Sequence, residues 1–382
     1  MAAVSPCGRL ILAVNSGSSS LKFGLYWPSE GDPELMLAGG ASGIGRSNGN
    51  LQIGEPGGKK LVDEAYKLNS QGEAMKEVLD FIARHAGGKP DAVGHRMVHG
   101  GPHLREHQRI TPDLLHTLQA ATQFAPIHIP AALKLLRETE KLLPGVPQYA
   151  CFDTAFHRTM PERARHFPLP RRLYELGVER FGFHGLSYES MVARLGPEIP
   201  ERVVGAHLGS GASLVALRGG VSIDTSMGMT PVGGIPMATR SGDFDPGVVL
   251  FLMRTEQLSA DALESLLNKD SGLAALSGGE SDMRLIEECA GKGDGKAQLA
   301  LDVFAHAVRK MIGAYAAELG GLDLLVFTGG IGEHDGPMRN KICEGLEFLG
   351  LTSGDPARCA KVRVMESQEE LQIARITCRL HQ

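Results

Sequence analysis

The sequence predicts a mixed α/β protein built from two similar halves. Two observations support this prediction. Short apolar runs typical of strands alternate along the chain with longer segments of helical spacing. A strand, a glycine-containing polar turn and a second strand occur near residue 10 and recur near residue 203, with one residue inserted in the second turn. Such a repeat indicates a duplicated domain.

The first copy begins with the apolar run LILAV at residues 10–14. The polar turn NSGSSS follows at 15–20, and residues 21–26 (LKFGLY) then alternate between apolar and other side chains, as strands do. Residues 31–58 are rich in glycine and weakly periodic, which predicts loops with short edge strands. Downstream, the spacing predicts helices over 72–86, 113–123 and 130–143, and a strand over 92–98.

The second copy runs through VVGAHL at 203–208, the turn GSGAS at 209–213 and a strand at 214–217. Residues 297–319 have helical spacing broken by charged residues, which predicts an amphipathic helix. A buried strand at 324–327 and a glycine turn at 328–333 follow, before another predicted helix.

Composition excludes several classes of protein. The 382 residues carry a net charge of −5 without a basic block, so nucleic acid is not an expected partner. No run of 18 apolar residues predicts a membrane span, and the first ten residues lack the apolar core of a secretion signal. Six scattered cysteines without a C-x-x-C pair favour reduced thiols in the cytoplasm over disulfides or zinc. They are Cys7, Cys151, Cys289, Cys343, Cys359 and Cys378.

Three turns rich in glycine and hydroxyl side chains follow apolar strands, at 15–20, 207–213 and 328–333. Glycine lets backbone N–H groups approach an anion, and hydroxyl groups add donors, so the turns predict phosphate binding. An ordinary hairpin would explain any one of them, but less readily all three. None matches G-x-x-x-x-G-K-[ST], which excludes a Walker-type NTPase.

A series of motifs resembles the acetokinase family over nearly the whole chain. In order they are LAVNSGSSSLKF, GHRMVHGG, FDTAFHRTMP, FGFHGLSY, HLGSGAS, DTSMGMTPVGGIPMATRSGDFDPG, FTGGIGE and EELQIAR. The resemblance implies two duplicated ribonuclease H-like (actin-like ATPase) domains with a nucleotide cleft between them. The first would span 1–152, with 371–382 returning to it. The second would span 153–370, bind the nucleotide and form a homodimer.

The resemblance also assigns catalytic residues. Arg96 and Arg240 would hold the carboxylate and neutralise the transition state, in keeping with the value of positioned arginines in phosphoryl transfer. His184 would donate to the transferred phosphoryl group, and His128 would lie near the γ-phosphate. Asp153 would orient Arg96 or a magnesium-bound water, although an N-cap of residues 154–157 is an alternative for it.

Metal, nucleotide and substrate positions follow from the same resemblance. Asn15 and Glu369 would bind Mg²⁺, with Mn²⁺ as an alternative, and the adjacent Glu370 leaves the choice of glutamate open. The expected nucleotide-binding residues are Lys22, His207, Leu208, Gly209, Ser210, Gly211, Asp282, Met283, Arg284, Gly329, Gly330, Ile331, Gly332 and Glu333. An apolar acetate pocket, with all four side chains expected to be buried, would comprise Val98, Ile127, Phe183 and Pro231.

The implied activity is reversible, magnesium-dependent transfer of the ATP γ-phosphoryl group to acetate, giving acetyl phosphate and ADP. Three departures from the family pattern occur, at Ile129, Ser210 and His334. The alternatives are a propionate or butyrate kinase of the same family, and an ATPase of the superfamily that phosphorylates no carboxylate.

Overall fold

The structure, a computed structural model, describes residues 10–17, 19–351 and 361–382. Residues 1–9 with Cys7, and also Ser18 and Cys359, lie outside the described residues. The chain divides into two compact units. Unit 1 comprises the described residues up to Ala155 together with Gly185–Ser190 and Gln368–Gln382. Unit 2 comprises Phe156–His184 and the described residues of Met191–Ser367.

The strands lie in one sheet in each unit. They are β1 (Ile11–Ser16), β2 (Ser20–Trp27), β3 (Glu34–Ser42), β4 (Asn50–Gly54), β5 (Lys60–Ala65), β6 (Ala92–Met97), β7 (Gln108–Arg109), β8 (Gln148–Phe152), β9 (Arg202–Leu208), β10 (Ala212–Arg218), β11 (Val221–Thr225), β12 (Leu324–Thr328) and β13 (Val362–Val364). The first sheet has the order β5-β4-β3-β2-β1-β6-β8-β7, and the second has the order β11-β10-β9-β12-β13.

The helices cover the following ranges. They are α1 (Gln71–His85), α2 (Pro112–Ala120), α3 (Ile129–Leu142), α4 (Glu162–Arg165), α5 (Arg171–Glu175), α6 (Gly185–Leu195), α7 (Pro246–Thr255), α8 (Ala260–Lys269), α9 (Gly272–Ser277), α10 (Met283–Gly291), α11 (Gly295–Leu319), α12 (Gly329–His334), α13 (Gly336–Cys343) and α14 (Glu369–His381), with short 3₁₀ turns at Ala121–Phe124, Ala155–Thr159 and Glu347–Leu349.

The two sheets repeat one arrangement of five strands. In unit 1, β1 pairs antiparallel with β2 and β2 with β3, whereas β1, β6 and β8 run parallel. In unit 2, β9 pairs antiparallel with β10 and β10 with β11, whereas β9, β12 and β13 run parallel. The order β3-β2-β1-β6-β8 therefore corresponds to β11-β10-β9-β12-β13. The predicted mixed α/β fold with a duplicated strand–turn–strand unit is confirmed.

Strand β1 shows why the opening run is almost wholly apolar. Leu12 and Val14 belong to the core cluster that also contains Val78 of α1. Ile11 and Ala13 face the other core cluster, which contains Ile373 of α14. Both faces of the sheet are covered by helices, so alternation of polar and apolar residues is lost at the centre.

Capping residues set the start of several helices. Ser70 accepts a hydrogen bond from the Glu73 N–H at the start of α1, and Thr111 accepts one from the Leu114 N–H at the start of α2. Each cap satisfies a backbone donor that has no partner within the first helical turn. Pro112 then occupies the first turn of α2, where its missing N–H costs nothing.

Two regions differ from the sequence-based expectations. Within the glycine-rich stretch, β3 has nine residues and both β3 and β4 are paired on two sides, so the predicted short edge strands were wrong, whereas residues 31–33, 43–49 and 55–58 are loops as predicted. The glycine turn at 328–333 is also largely helical, because α12 begins at Gly329. Within the described residues, the structure holds no helix long and apolar enough to cross a membrane.

Candidate active site

The ends of three parallel strands place one group of polar side chains in unit 1. Asn15 lies near the end of β1, Arg96 near the end of β6, and Asp153 directly after β8. These strands are neighbours in the order β1-β6-β8, so their carboxyl ends meet at one edge of the sheet. That edge is where open α/β sheets commonly bind ligands.

Arg96 and Asp153 form the centre of this group. Arg96 Nε and Nη2 donate to Asp153 Oδ2 at 2.8 and 2.6 Å. Arg96 Nη1 donates to Asn15 Oδ1 at 3.1 Å. The Asp153 side chain is fully buried and that of Arg96 is 18% exposed, so little water screens the pair.

Helix α14 brings two further carboxylates to Asn15. Asn15 Nδ2 donates to Glu369 Oε2 at 2.8 Å and to Glu370 Oε1 at 2.9 Å. Both glutamates therefore share one amide. The sequence left the choice between Glu369 and Glu370 open, and both side chains do contact Asn15. Glu369 is the more buried of the two.

The pKa of Asp153 is raised to about 6. Burial is the main cause and the Glu369 charge adds to it, whereas the Arg96 charge lowers the pKa. The Leu186 N–H lowers the pKa slightly. Burial opposes the charge on Arg96, but Asp153 and the two glutamates raise its pKa overall, so the guanidinium stays protonated. The group contains three carboxylates and one guanidinium.

The carboxylate and amide oxygens of this group fit a divalent cation that prefers hard oxygen ligands. Within the described part of the chain, Asp153 Oδ1 is buried and has no hydrogen-bond partner. A buried carboxylate oxygen of this kind normally has a partner, and Mg²⁺ prefers carboxylate and amide oxygens while keeping several waters. The described residues contain no group of three or more His, Cys, Asp or Glu arranged as a metal cage.

A second group of polar side chains lies in unit 2 around His184. This histidine has left-handed backbone geometry (φ 58°) directly before α6, and its ring is stacked on His207 with centroids 4.4 Å apart. His184 Nδ1 lies 2.9 Å from Ser213 Oγ. Left-handed backbone in a non-glycine residue costs free energy and is concentrated at functional sites.

Gly211 leaves the space beside His184 open. A Cβ on Gly211 would lie 3.2 Å from His184 Nε2 and 3.6 Å from Arg240 Nη1. The glycine turn between β9 and β10 therefore passes directly over both predicted catalytic side chains. Arg240 Nη1 also donates to the Pro231 carbonyl at 3.1 Å, which joins a predicted pocket residue to the same group.

The second and third predicted phosphate-binding turns lie side by side. β9 and β12 are parallel neighbours, with His207 opposite Thr328. A Cβ on Gly209 would lie 3.7 Å from the Gly330 nitrogen. Gly329 has φ 77°, and a Cβ there would be 2.7 Å from the Leu208 carbonyl oxygen, so only glycine fits. Glu333 Oε1 accepts from the Gly329 N–H, which fixes this turn.

The sequence model of the acetokinase family matches residues 10–377. The chain belongs to the acetokinase family. It is 41% identical to the acetate kinase of Staphylococcus carnosus, over 96% of this chain and 98% of that one. The crystal structure of Porphyromonas gingivalis acetate kinase matches with a TM-score of 0.83, 36% identity and coverage of 98% and 100%. The crystal structure of a propionate kinase from Francisella tularensis matches with a TM-score of 0.87 and 33% identity, and the match covers 97% of this chain and 100% of that one.

Membership of the acetokinase family makes the chain a kinase, a phosphotransferase whose acceptor is a carboxyl group. It also implies ATP as co-substrate and a divalent metal. The fold predicted from the motifs is confirmed by the two solved relatives.

The other predicted acetokinase residues differ in their exposure to solvent. Lys22 is exposed on β2 in unit 1, apart in sequence from the unit 2 turns. Asp282 caps α10 and pairs with Arg284, whose side chain is 86% exposed, while Met283 is buried. His128 directly precedes α3 and is half-buried.

The prediction that all four pocket side chains are buried was wrong for two of them. Phe183 is 1% exposed and Pro231 is buried. Ile127, however, is 39% exposed and Val98 is half-buried. Both lie in turns beyond regular elements, where an apolar residue need not enter the core.

Two residues in contact with the predicted acetokinase site were not assigned to it from sequence. Ser213, which contacts His184, was included only as the last residue of the second glycine turn. Glu370 was an alternative to Glu369, although both accept from Asn15. Adjacent acidic residues were the available signal for Glu370. For Ser213 the available signal was a hydroxyl residue directly before the predicted apolar strand at 214–217.

Proposed function

We propose that this chain catalyses reversible transfer of the γ-phosphoryl group of ATP to acetate. An acetate oxygen attacks the γ-phosphorus in line, a new P–O bond forms, and the bond to the β–γ bridging oxygen breaks, so ADP leaves with the electron pair. Acetate is already ionised at neutral pH, since carboxyl pKa values lie near 4, and needs no general base. The hydrogen-bonded set Asn15–Arg96–Asp153 is the observation that supports this most directly.

The charged side chains have complementary roles in the proposal. Arg96 binds the acetate carboxylate, and Asp153 fixes the guanidinium by accepting two of its N–H groups. Arg240 and His184 stabilise charge on the equatorial phosphoryl oxygens, and His128 supplies a further donor near the γ-phosphate. Catalysis of phosphoryl transfer rests mainly on such positioning and electrostatic stabilisation.

Mg²⁺ is the proposed metal, with Mn²⁺ as an alternative, and Asn15, Glu369 and Asp153 would hold it directly or through water. When bound, the cation would neutralise phosphate charge. Asn15 keeps both glutamates in place through its amide group. Asp153 contributes the buried oxygen that has no partner among the described residues.

The glycine turns of unit 2 are the proposed phosphate-binding elements. Leu208, Gly209, Ser210 and Gly211 would present backbone N–H groups, as would residues 329–333 after β12. Their adjacency supports this, because neighbouring turns can bind one polyphosphate chain. Residues 282–284 would contact the adenosine, and Lys22 would contact the nucleotide from unit 1.

Acetate is the proposed substrate because of the apolar residues assigned to its methyl group: Val98, Ile127, Phe183 and Pro231. One additional methylene in a substrate typically changes the free energy by which an apolar pocket distinguishes two substrates by about 1–3 kcal/mol. We therefore expect propionate to be a poorer substrate than acetate. The similarity to a propionate kinase makes that acid the second candidate. We also propose the domain division 1–152 with 371–382, and 153–370.

We further propose that the enzyme is a homodimer formed through its second domain. Helix α7 supports this, because none of its residues is buried and four large apolar side chains are 45–59% exposed: Val248, Leu250, Phe251 and Met253. Apolar exposure on this scale is typical of an interface. Light scattering of the wild type and the Phe251→Arg variant tests the dimer. The reduced thiols of Cys151, Cys289 and Cys378 are in keeping with a cytoplasmic enzyme.

The activity is tested by trapping acyl phosphate with hydroxylamine, using ATP and Mg²⁺ with acetate, propionate, butyrate or no acid. We expect the highest yield with acetate. A maximum with propionate or butyrate would replace the substrate but keep the reaction. ADP release without acyl phosphate would overturn the proposed function in favour of a simple ATPase.

A further inference from the structure

Three polar side chains in unit 1 form a hydrogen-bonded connection that no assigned role explains. His107 Nε2 lies 2.9 Å from Glu189 Oε1, and Gln372 Nε2 donates to Glu189 Oε2 at 3.0 Å. The side chains of His107 and Glu189 are 8% and 16% exposed, and Gln372 is buried. We call His107, Glu189 and Gln372 the Glu189 bridge.

One arm of the Glu189 bridge reaches the strand that carries Asp153. The Phe152 N–H donates to His107 Nδ1 at 3.0 Å, and Phe152 directly precedes Asp153. Because a backbone N–H can only donate, His107 Nδ1 is an acceptor and the ring proton lies on Nε2. That proton is therefore donated to Glu189, which fixes the orientation of the imidazole ring.

The other arm reaches the helix that carries Glu369. Gln372 lies one turn after Glu369 in α14, and its backbone N–H donates to the Gln368 carbonyl. Gln372 Oε1 accepts from Arg375 Nη1 at 3.2 Å. This contact fixes which end of the amide is the oxygen, and so directs the Nε2 donor at Glu189.

The Glu189 carboxylate is held in its charged form. Burial opposes ionisation, but hydrogen bonds from His107 and Gln372, together with the charge of Arg379, lower the pKa of Glu189. Charged hydrogen bonds of this kind are stronger than neutral ones. Loss of Glu189 would leave the His107 Nε2–H and the Gln372 amide without their acceptor in a buried setting, which is costly.

The Glu189 bridge thus joins β8, which ends directly before Asp153, to α14, which begins at Glu369. Both carboxylates belong to one hydrogen-bonded set, because Arg96 donates to Asp153 and to Asn15, and Asn15 donates to Glu369. We propose that Glu189 is a positioning residue that acts through His107 and Gln372 to fix the spacing between Asp153 and Glu369. This inference rests on the proposed function, because the fixed spacing matters for the divalent cation and for Arg96.

The test compares Glu189→Ala, Glu189→Gln and Gln372→Leu with a matched control, Glu140→Ala. Glu140 accepts from Gln148 Nε2 at 3.0 Å, and Gln148 Oε1 lies 2.8 Å from His95 Nε2. The control variant thus removes the glutamate from a second hydrogen-bonded set in unit 1, formed by His95, Gln148 and Glu140. That set adjoins the first residue of β8 and not the end next to Asp153.

We measure kcat, the KM for ATP and the Mg²⁺ concentration for half-maximal rate, and separately hydrogen exchange of Phe152 and the first turn of α14. Loss of a residue that orients metal ligands typically costs about 10–100-fold in metal affinity or activity. For Glu189→Ala we expect kcat to fall by about tenfold and half-saturating Mg²⁺ to rise by about fivefold, with KM for ATP within about twofold. Exchange at both segments should quicken by about tenfold.

Glu189→Gln keeps an acceptor for His107 and should restore most of the rate, whereas Glu140→Ala should leave every value within about twofold of the wild type. Unchanged exchange and Mg²⁺ dependence in a folded Glu189→Ala protein would overturn the inference. If that variant does not fold, Gln372→Leu decides the question, because it removes only the α14 arm. A wild type that makes no acyl phosphate would refute the proposed function, while the exchange data would still test the bridge.

Discussion

Arg96 directs two N–H groups at a single oxygen of Asp153, Oδ2. The pair is therefore not the usual fork in which each nitrogen meets its own oxygen. The second oxygen, Oδ1, is buried and has no hydrogen-bond partner among the described residues. One oxygen of the carboxylate therefore orients the Arg96 guanidinium, and the other is the oxygen that we propose for the metal site.

Asp153→Asn removes the charge but preserves the shape of this side chain. Arg96 would then lack its main counter-charge, and removing one partner from a buried pair costs about 3–5 kcal/mol. We expect the rate of acetyl phosphate formation to fall by at least about 100-fold and the unfolding temperature to drop. The hydroxylamine assay and thermal unfolding measure these effects, with the exposed Asp63→Asn as control. Wild-type activity in Asp153→Asn would refute the assigned role.

Arg240→Ala should lower turnover sharply. The guanidinium is half-buried and donates to the Pro231 carbonyl and, more weakly, to Met237 Sδ at 3.8 Å, so thermal unfolding of the variant is measured beside its activity. A positioned arginine contributes about 10³–10⁵ to the rate of phosphoryl transfer. We expect kcat to fall within that range and Arg171→Ala, whose side chain is 90% exposed, to match the wild type. A loss of less than about tenfold would contradict this prediction.

A methyl group added at Gly211 should impair the site without unfolding unit 2. The new Cβ would crowd His184 Nε2 at 3.2 Å. Gly211→Ala should therefore lower kcat/KM for ATP by about tenfold or more. Gly313→Ala is the matched control, since a Cβ there meets nothing within 4 Å in the middle of α11. That change should stabilise the helix by about 0.5–1 kcal/mol and leave activity unchanged. Equal activity in both variants would argue against a ligand passing over Gly211.

The acidic pair Glu287 and Asp335 predicts a pH dependence of stability. Burial, with the Asp335 charge, raises the pKa of Glu287 from 4.5 to about 7. The folded state then binds more protons than the unfolded state between about pH 4.5 and 7, so stability falls as pH rises through that range. Because the site is partly exposed, the expected loss is about 1 kcal/mol.

Glu287→Gln mimics the protonated carboxyl and should remove the pH dependence of stability that comes from Glu287. Thermal unfolding of the wild type and the variant from pH 5 to pH 8 isolates this contribution, because the two proteins share all other titrating groups. The wild type should lose stability relative to the variant as pH rises. Parallel curves would show that Glu287 titrates normally.

The sequence predicted regular elements well where one local pattern dominated. The 25-residue α11 and the buried β12 follow from apolar spacing alone. β3 was missed because Gly39 and Gly40 interrupt its alternation, and only pairing with β2 and β4 makes it a long inner strand. α12 was predicted as a turn because it opens on two glycines, which have poor helix propensity. Tertiary context overrides propensity at both places.

The predicted site residues fall into groups that the chain order could not reveal. Asn15 and Glu369 are 354 residues apart, yet they are joined by a hydrogen bond. The motifs identified both residues, but only the sheet order β1-β6-β8 and the packing of α14 bring them together. The Glu189 bridge left no local signal, because its hydrogen bonds connect residues 82 and 183 positions apart.

The position of α14 also has a consequence for synthesis on the ribosome. This helix covers one face of the unit 1 sheet, including Ile11 and Tyr149, but it follows all of unit 2 in the chain. Roughly 200 residues must be translated between β8 and α14, which takes about 10–40 s at about 5–20 residues per second. Throughout that interval the sheet face that contains Ile11 and Tyr149 lacks the cover of α14. The core of unit 1 is therefore completed only after unit 2 has been translated.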